Sequence, residues 1–166
     1  KFPINLILAS GLAISKDKSN KIYDRFRNRL IVPILDMQGR VVAFGGRSLD
    51  GQEPKYLNSP ESEIFEKGKM LFAFEKASSN IRKRDKAIIV EGYFDVISLH
   101  SKGITNSVAS LGTALNKYQI SQLCRCTDNK NIILNFDSDN AGILATKRVI
   151  KEVESLSLHD QINLKI

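Results

Sequence analysis

The chain has 166 residues, 42% of them hydrophobic and 26% charged. That is room for one medium domain or two small ones with a proper core, and it excludes wholesale disorder, an extended fibre or a mini-protein. Lys and Arg total 25 against 18 Asp and Glu, a net charge of +7 that points towards a polyanionic partner.

In chain order, Phe2 to Ile14 is apolar, with Ala9, Ser10 and Gly11 imitating the end of a signal peptide. Asn5 interrupts it, and about 12 apolar residues fall short of the roughly 20 that cross a bilayer. The stretch is better read as a helix ending at a glycine cap, Gly11, in a soluble chain that is part of something longer. Lys16 to Arg29 then carries six basic and two acidic residues, which by itself fits a solvated face as well as an anion-binding one. Leu30 to Ile34 and Arg40 to Arg47 flank Asp36-Met37-Gln38-Gly39, the signal of a β-hairpin, with Pro33 arguing for an edge strand or a bulge. Gly45-Gly46 before Arg47 reads as a glycine bulge closing the second strand, or as a backbone that lets another surface approach. Lys55 to Glu61 reads as a polar turn ending in Ser-Pro, and Leu71 to Ala77 as a helix. Ser78 to Lys86 is polar and basic, with net +3 over Arg82 to Lys86, and the domain boundary is placed there.

The second half alternates short β-branched runs with helical patterns: strands at 87–90, 106–109, 131–136 and 162–166, helices at 93–101, 117–125 and 140–155. Strand, helix, strand in repetition implies a parallel sheet with helices packed on it. Cys124 and Cys126, two apart in a predicted helix, face different directions without the Cys/His company that zinc needs, and read as reduced thiols. His100 and His159 read as surface or helix-end residues, and no G-x-S-x-G or Cys/His pair marks a covalent nucleophile.

Ligands collect at the carboxyl ends of open α/β sheets, and the unusual residues of this half stand there. The strands end in Glu91-Gly92, in Ser110-Leu111-Gly112-Thr113 and in Asp137-Ser138-Asp139-Asn140-Ala141-Gly142. Asp137 and Asp139, two apart on extended chain, can point to one side and converge with Glu91 from a neighbouring strand on a divalent ion. The competing readings are that Asp139 or Asn140 merely caps the next helix and that Glu91 is a solvated loop carboxylate. A calcium loop fails, because its fifth and twelfth positions are Ala141 and Arg148. An aspartyl-phosphate phosphatase also places Asp-x-Asp after a strand, but Ala141 stands where that family favours Thr or Val.

Val90-Glu91-Gly92-Tyr93-Phe94-Asp95-Val96 together with Asp137 to Gly142 resembles the Toprim module of topoisomerases, recombination proteins and bacterial-type primases. Tyr23 to Arg29, Val42 to Arg47, Lys55 to Glu61 and Ala109 to Thr113 resemble, in order, the bacterial DNA primase family, over nearly the whole chain. The resemblance implies an α/β fold: a mixed α+β basic N-terminal subdomain, residues 1–83, followed by a Toprim-type parallel sheet with flanking helices, residues 84–166, incomplete at its carboxyl end. It implies synthesis of short RNA primers on a single-stranded DNA template by metal-dependent nucleotidyl transfer. Glu91, Asp137 and Asp139 would be the catalytic, metal-holding carboxylates, for Mg²⁺ or Mn²⁺. Arg25, Arg27, Arg47, Lys55, Asn58 and Lys67 would meet nucleic acid and ribonucleoside triphosphates, and Gly112 with Thr113 would form a weaker phosphate loop. A further Asp-x-Asp of the family lies beyond Ile166. Zinc, the replicative helicase and single-strand-binding protein would be engaged by regions absent from these residues, in a cytoplasmic protein with no membrane partner. The alternatives are a Toprim nuclease or topoisomerase, and a non-catalytic module that binds single-stranded DNA.

Overall fold

The computed structural model describes residues 1–15, 21–112, 114–156 and 161–166. The chain divides into two compact units, Lys1–Leu35 with Arg40–Glu66, and Asp36–Gly39 with Lys67–Ile166. Thr113, His159 and the first part of the basic run, Lys16 to Asn20, lie outside the described residues.

The first unit is antiparallel. Helix α1 (Ile4–Ala9) ends at Gly11, as expected, and a short ladder joins β1 (Ala13–Ser15) to β2 (Ile22–Asp24). The main sheet has the order β3 (Arg29–Leu35), β4 (Val41–Ser48), β5 (Tyr56–Asn58). Pro33 sits in the edge strand, where its missing N–H costs no ladder bond to a further strand. The hairpin turns where Asp36 accepts from the Gln38 amide at 2.9 Å, an Asx turn that leads into Gly39.

Two expectations are corrected in this sheet. Lys55 to Glu61 is not wholly a turn, because Tyr56–Asn58 pairs with Gly45–Arg47 as a third strand; Ser59 extends it, its amide donating to the Phe44 carbonyl at 2.8 Å. Gly45-Gly46 forms no bulge: β4 runs in register to Ser48, and the irregularity lies at Ile34/Leu35. Glycine is needed at 46 because a Cβ there would come 2.8 Å from the Phe26 ring, which packs edge-on to Phe44.

The second unit opens with a 3-10 turn, Lys67–Lys69, held by the start of a later helix. Gln119, fully buried, donates to the Met70 carbonyl at 2.7 Å and the Lys67 carbonyl at 3.2 Å, and Asn116 donates to the Gly68 carbonyl at 2.8 Å. Helix α2 runs over Phe74–Arg84, so most of the polar stretch in which the domain boundary was expected is helical. Phe74, Ala77 and Ile81 recur at helical spacing and are buried, while the basic residues occupy the remaining faces. Then follow β6 (Ala87–Val90), α3 (Tyr93–Ser101), β7 (Ser107–Ala109), α4 (Lys117–Cys124), β8 (Asn131–Leu134), α5 (Asn140–Glu154) and β9 (Asn163–Lys165).

The four strands form one parallel sheet in the order β7-β6-β8-β9, with helices between successive strands, as the alternating pattern predicts. Its core joins Ile81, Ile89, Val108, Ile120, Leu123, Ile132 and Val149, all at most 1% exposed. Cys124 and Cys126 are free and buried, and burial pushes the Cys124 thiol pKa up. At the amino ends of the strands, the Asp85 carboxylate accepts from the Asp128 and Asn129 amides and from the Asn129 and Asn131 side chains, clasping α2 to the segment entering β8. Among the described residues no helix is long and apolar enough to cross a membrane.

Candidate functional site

The parallel register delivers the carboxyl ends of β6 and β8 side by side, Ile89 opposite Leu134, and the Asn135 amide donates to the Ile89 carbonyl at 2.8 Å. One step beyond, Glu91 Oε1 accepts from the Asp137 amide at 2.9 Å. Glu91 is therefore not a solvated loop carboxylate: half-buried, it ties the two strand ends together. The Asp137 side chain, exposed, carries no hydrogen bond or ion pair to a described residue. Glu91, Asp137 and Asp95 line one small cleft of about 210 Å³ with Ser98 and Asn135.

Asp139 stands at the N-cap of α5, and its Oδ1 accepts from the Gly142 amide at 2.8 Å. The capping reading holds for this side chain, which leaves its second oxygen outside that bond. Gly142 makes the arrangement possible. A Cβ there would lie 2.0 Å from the Asp137 carbonyl oxygen and 2.8 Å from Glu91 Oε1, so only glycine lets α5 start this close to both strand ends.

Five of the six residues expected to meet phosphate lie in the first unit. Arg25 is half-buried, and its Nε and Nη2 fork the Asn58 carbonyl at 3.2 and 3.0 Å, pinning β5. Arg27 donates to the Asp24 carbonyl at 2.9 Å. Arg47 and Tyr56 are direct cross-strand partners, and the Lys55 ammonium lies 5.7 Å from the Tyr56 ring centroid. Lys67 begins the 3-10 turn of the second unit, whose carbonyls Gln119 and Asn116 hold. Gly112 has φ +76 and is exposed, and α4 is capped by Asn116, which accepts from the Gln119 amide at 3.1 Å.

Residues 1–78 match the family model for the DNA primase catalytic core, N-terminal domain, and residues 88–165 match the Toprim-like model. The DNA primase of Synechococcus elongatus is 53% identical over the whole of this chain, and that of Synechocystis sp. 49%. The chain belongs to the bacterial DNA primase family. It spans 24% and 26% of those two relatives. A crystal structure of a DNA primase domain from Pseudomonas aeruginosa superposes with TM-score 0.90 at 41% identity, covering 99% of this chain and 51% of that one. The DnaG primase catalytic domain bound to single-stranded DNA gives TM-score 0.80 at 40% identity over 90% of this chain and 45% of that one. The fold is accordingly the mixed α/β arrangement of the primase core, with its four-stranded parallel sheet.

Primases and Toprim proteins as a class depend on metal ions. The donors here are carboxylate oxygens alone, the hard set that suits a divalent cation with spare coordination positions, and the exposed Asp137 beside Glu91 fits that use. Among the described residues no three His, Cys, Asp or Glu side chains already surround a single metal position. Two residues of this cluster escaped the sequence reading. Asp95, whose Oδ2 accepts from the Gly92 amide at 3.0 Å, reaches the cleft from the first turn of α3, and its signal was its place three residues after Gly92 in the same motif. Gly142, taken only as the end of the acidic run, is the contact that closes the site.

Proposed function

We propose that the protein to which this chain belongs synthesises short RNA primers on single-stranded DNA by nucleotidyl transfer from ribonucleoside triphosphates. The observation that carries the proposal is the convergence of Glu91 and Asp137, from adjacent parallel strands, with Asp139 on the helix start that Gly142 brings against them. A relative 40% identical is known bound to single-stranded DNA, and the relatives cited are primases, so the nuclease and topoisomerase alternatives are not favoured.

In this reading Glu91, Asp137 and Asp139 hold Mg²⁺, with Mn²⁺ as a substitute. When bound, such a cation neutralises triphosphate charge, lowers the pKa of an attacking 3′-hydroxyl and stabilises leaving pyrophosphate. The chain's own part is positional: the Glu91 bond to the Asp137 amide fixes the spacing of the two strand ends, and the Asp139 cap fixes the approach of α5. Arg27, Arg47, Lys55 and Lys67 supply cations for template and triphosphate phosphates, and Arg25 with Asn58 holds β5 where Lys55 is presented. Gly112 and Thr113 are assigned to phosphate in the same proposal. Residues 1–83 act as the basic subdomain and 84–166 as the Toprim subdomain. Helicase and single-strand-binding protein are partners of the whole protein, which works in the cytoplasm at the replication fork.

The test is primer synthesis by the full-length protein on single-stranded DNA with four ribonucleotides and Mg²⁺ or Mn²⁺. Template-dependent short RNA that disappears with Asp137→Ala is the expected result. Unchanged synthesis by that variant would remove the acidic site from the reaction. No synthesis by the wild type, with DNA and metal binding intact, would favour the binding-module reading.

A further inference from the structure

The parallel sheet of the second unit carries opposite charge at its two ends. Its strands begin where its helices finish, so the connections into β6, β7 and β8 gather on the side away from Glu91, Asp137 and Asp139. Ala87 lies opposite Ile132 and Ile88 opposite Ser107, which sets these three connections side by side. Arg84 ties two of them, donating to the Gly103 carbonyl at 3.1 Å and to the Asn106 side chain at 3.4 Å, and the Asp85 clasp ties the first to the third. Around this junction stand Arg82, Lys83, Lys86, Lys102, Arg125 and Lys130, all exposed except the half-buried Lys130. None of these six side chains makes a hydrogen bond or ion pair to a described residue. With Arg84 there are seven cations in these connections, against two carboxylates, Asp85 and Asp128.

Part of this charge serves the helices. A helix dipole favours cations at its carboxyl end, which accounts for Arg82 and Lys83 in the last turn of α2 and for Lys102 and Arg125 at the C-caps of α3 and α4. Lys86 and Lys130 belong to no helix; each directly precedes a strand and adds to the mutual repulsion of the cluster. A polyanion relieves that repulsion. A protein partner would call for aromatic or apolar anchors at the centre of the patch, and a single strand for rings on which its bases stack. Among the described residues neither is offered: no aromatic or large aliphatic side chain is exposed within residues 78–87, 101–106 or 124–131. A duplex needs neither, because its bases are already stacked on one another and its phosphates face outward. Lys86 and Glu91 flank β6, five residues and roughly 16 Å apart, less than half of one duplex turn of about 34 Å. A duplex with its growing end at the acidic site and its axis along the strands reaches the cationic end within one turn.

We infer that the cationic amino end of the parallel sheet, with Lys83, Lys86 and Lys102 at its centre, holds the phosphate backbone of the RNA–DNA hybrid made at the acidic end. Contacts to phosphate alone carry no sequence information, so the surface retains any product equally. It takes no part in bond formation. By keeping the hybrid attached while nucleotides are added, it sets how far a primer grows before release. This role rests on the proposed nucleotidyl transfer and is separate from the path of the single-stranded template.

The experiment measures, by fluorescence anisotropy across a range of salt, how the full-length protein binds a short RNA–DNA hybrid, a DNA duplex and single-stranded DNA. The full-length protein carrying Lys83→Ala, Lys86→Ala and Lys102→Ala together is expected to melt like the wild type. Its log–log salt slope for the hybrid is expected to be shallower by about 2 to 3, about 0.9 for each phosphate contact removed, with single-stranded DNA affinity unchanged. The same protein is expected to form the first phosphodiester bond at the wild-type rate and to release shorter primers. Arginine at the three positions is expected to restore hybrid binding and primer length. Asp137→Ala, inactive under the proposed function, is expected to bind the hybrid like the wild type, which separates loss of holding from loss of synthesis. An unchanged hybrid slope in the triple alanine protein would overturn the inference, as would equal losses for hybrid and single strand, a loss confined to the DNA duplex, or loss of an acidic peptide with hybrid binding intact. A wild type that makes primers without binding the hybrid would overturn this inference alone; one that makes no primers would overturn the reading beneath it.

Discussion

The two units of this chain are stabilised differently. In the second, four parallel strands are sandwiched by helices and the core is made of Ile, Leu, Val and Ala side chains with almost no exposure. In the first, the strands are joined by backbone ladders, and large apolar residues such as Phe2, Ile4, Leu49 and Ile64 are 60% exposed or more. Only a few, among them Ile34, Ala43 and Phe65, are deeply buried there. The parallel unit uses its apolar surface for its own stability and keeps its polar residues for the strand ends. The antiparallel unit leaves apolar and basic residues mixed on its surface, the composition of a binding face.

The comparison is sharpened most by removing side chains from the acidic site and the parallel core. Asp137→Ala is expected to abolish primer synthesis while leaving the melting temperature nearly unchanged, since its carboxylate has no described partner. Ile89→Ala, at a fully buried position in the central strand, is expected to cost about 2–5 kcal/mol in denaturant unfolding. Leu49→Ala in the first unit is expected to stay within about 0.5 kcal/mol, because the side chain is mostly in water. Equal losses from the two would erase the distinction between the units.

Gly142→Ala comes next. Its methyl would meet a backbone carbonyl, which cannot rotate away as a side-chain tip would, so about 1–3 kcal/mol of stability and most activity should be lost together. A variant that keeps its activity would show that the strand ends tolerate a wider spacing. In the basic unit, Lys55→Ala is expected to leave the fold intact and to flatten the salt dependence of single-stranded DNA affinity by about 0.7 in the log–log slope, the share of one phosphate contact. An unchanged slope would remove Lys55 from the DNA path.

The smallest effect concerns the clasp at the amino ends of the parallel strands. Hydrogen bonds from Asn129, Asp128 and Asn131 hold the Asp85 carboxyl pKa below its ordinary value. A carboxylate with a depressed folded-state pKa contributes stability that is present above the ordinary carboxylate range and is lost as pH falls through the folded value. Asp85→Asn should therefore destabilise at neutral pH, and the gap from wild type should close in acid below about pH 4. A gap constant with pH would assign the clasp to shape and not to charge.

How much of this was legible in the sequence follows the same division. Ala87–Val90 and Asn131–Leu134 announce themselves as short β-branched runs, and Tyr93–Ser101 as the helix between strands, because a buried parallel sheet demands continuous apolar strands. That Glu91 and Asp137 stand at neighbouring strand ends followed from the same topology, since the carboxyl ends of parallel strands fall on one side of the sheet; the bond from the Asp137 amide to Glu91 did not. The short strands β1, β2 and β5 were not legible. Three residues carry too little periodicity, and Tyr56–Asn58 is a strand only because Gly45–Arg47 lies beside it. The true span of α2 was hidden by its charge: Arg82, Lys83 and Arg84 suggested a domain boundary, while Ile81 placed them on the last turn of a helix. Gly142 could not be read as a contact, because nothing local to it records that a carbonyl oxygen and a carboxylate approach from other strands.

The most direct test of the acidic site is Mn²⁺ titration of the full-length protein, followed by calorimetry or electron spin resonance, in the wild type beside Glu91→Gln, Asp137→Asn and Asp139→Asn. Each substitution keeps shape and removes charge, so loss of Mn²⁺ affinity with an unchanged melting temperature is the expected result for all three. Wild-type affinity in the Glu91→Gln and Asp137→Asn proteins would contradict the account and leave Glu91 only as a tie to the Asp137 amide between strand ends.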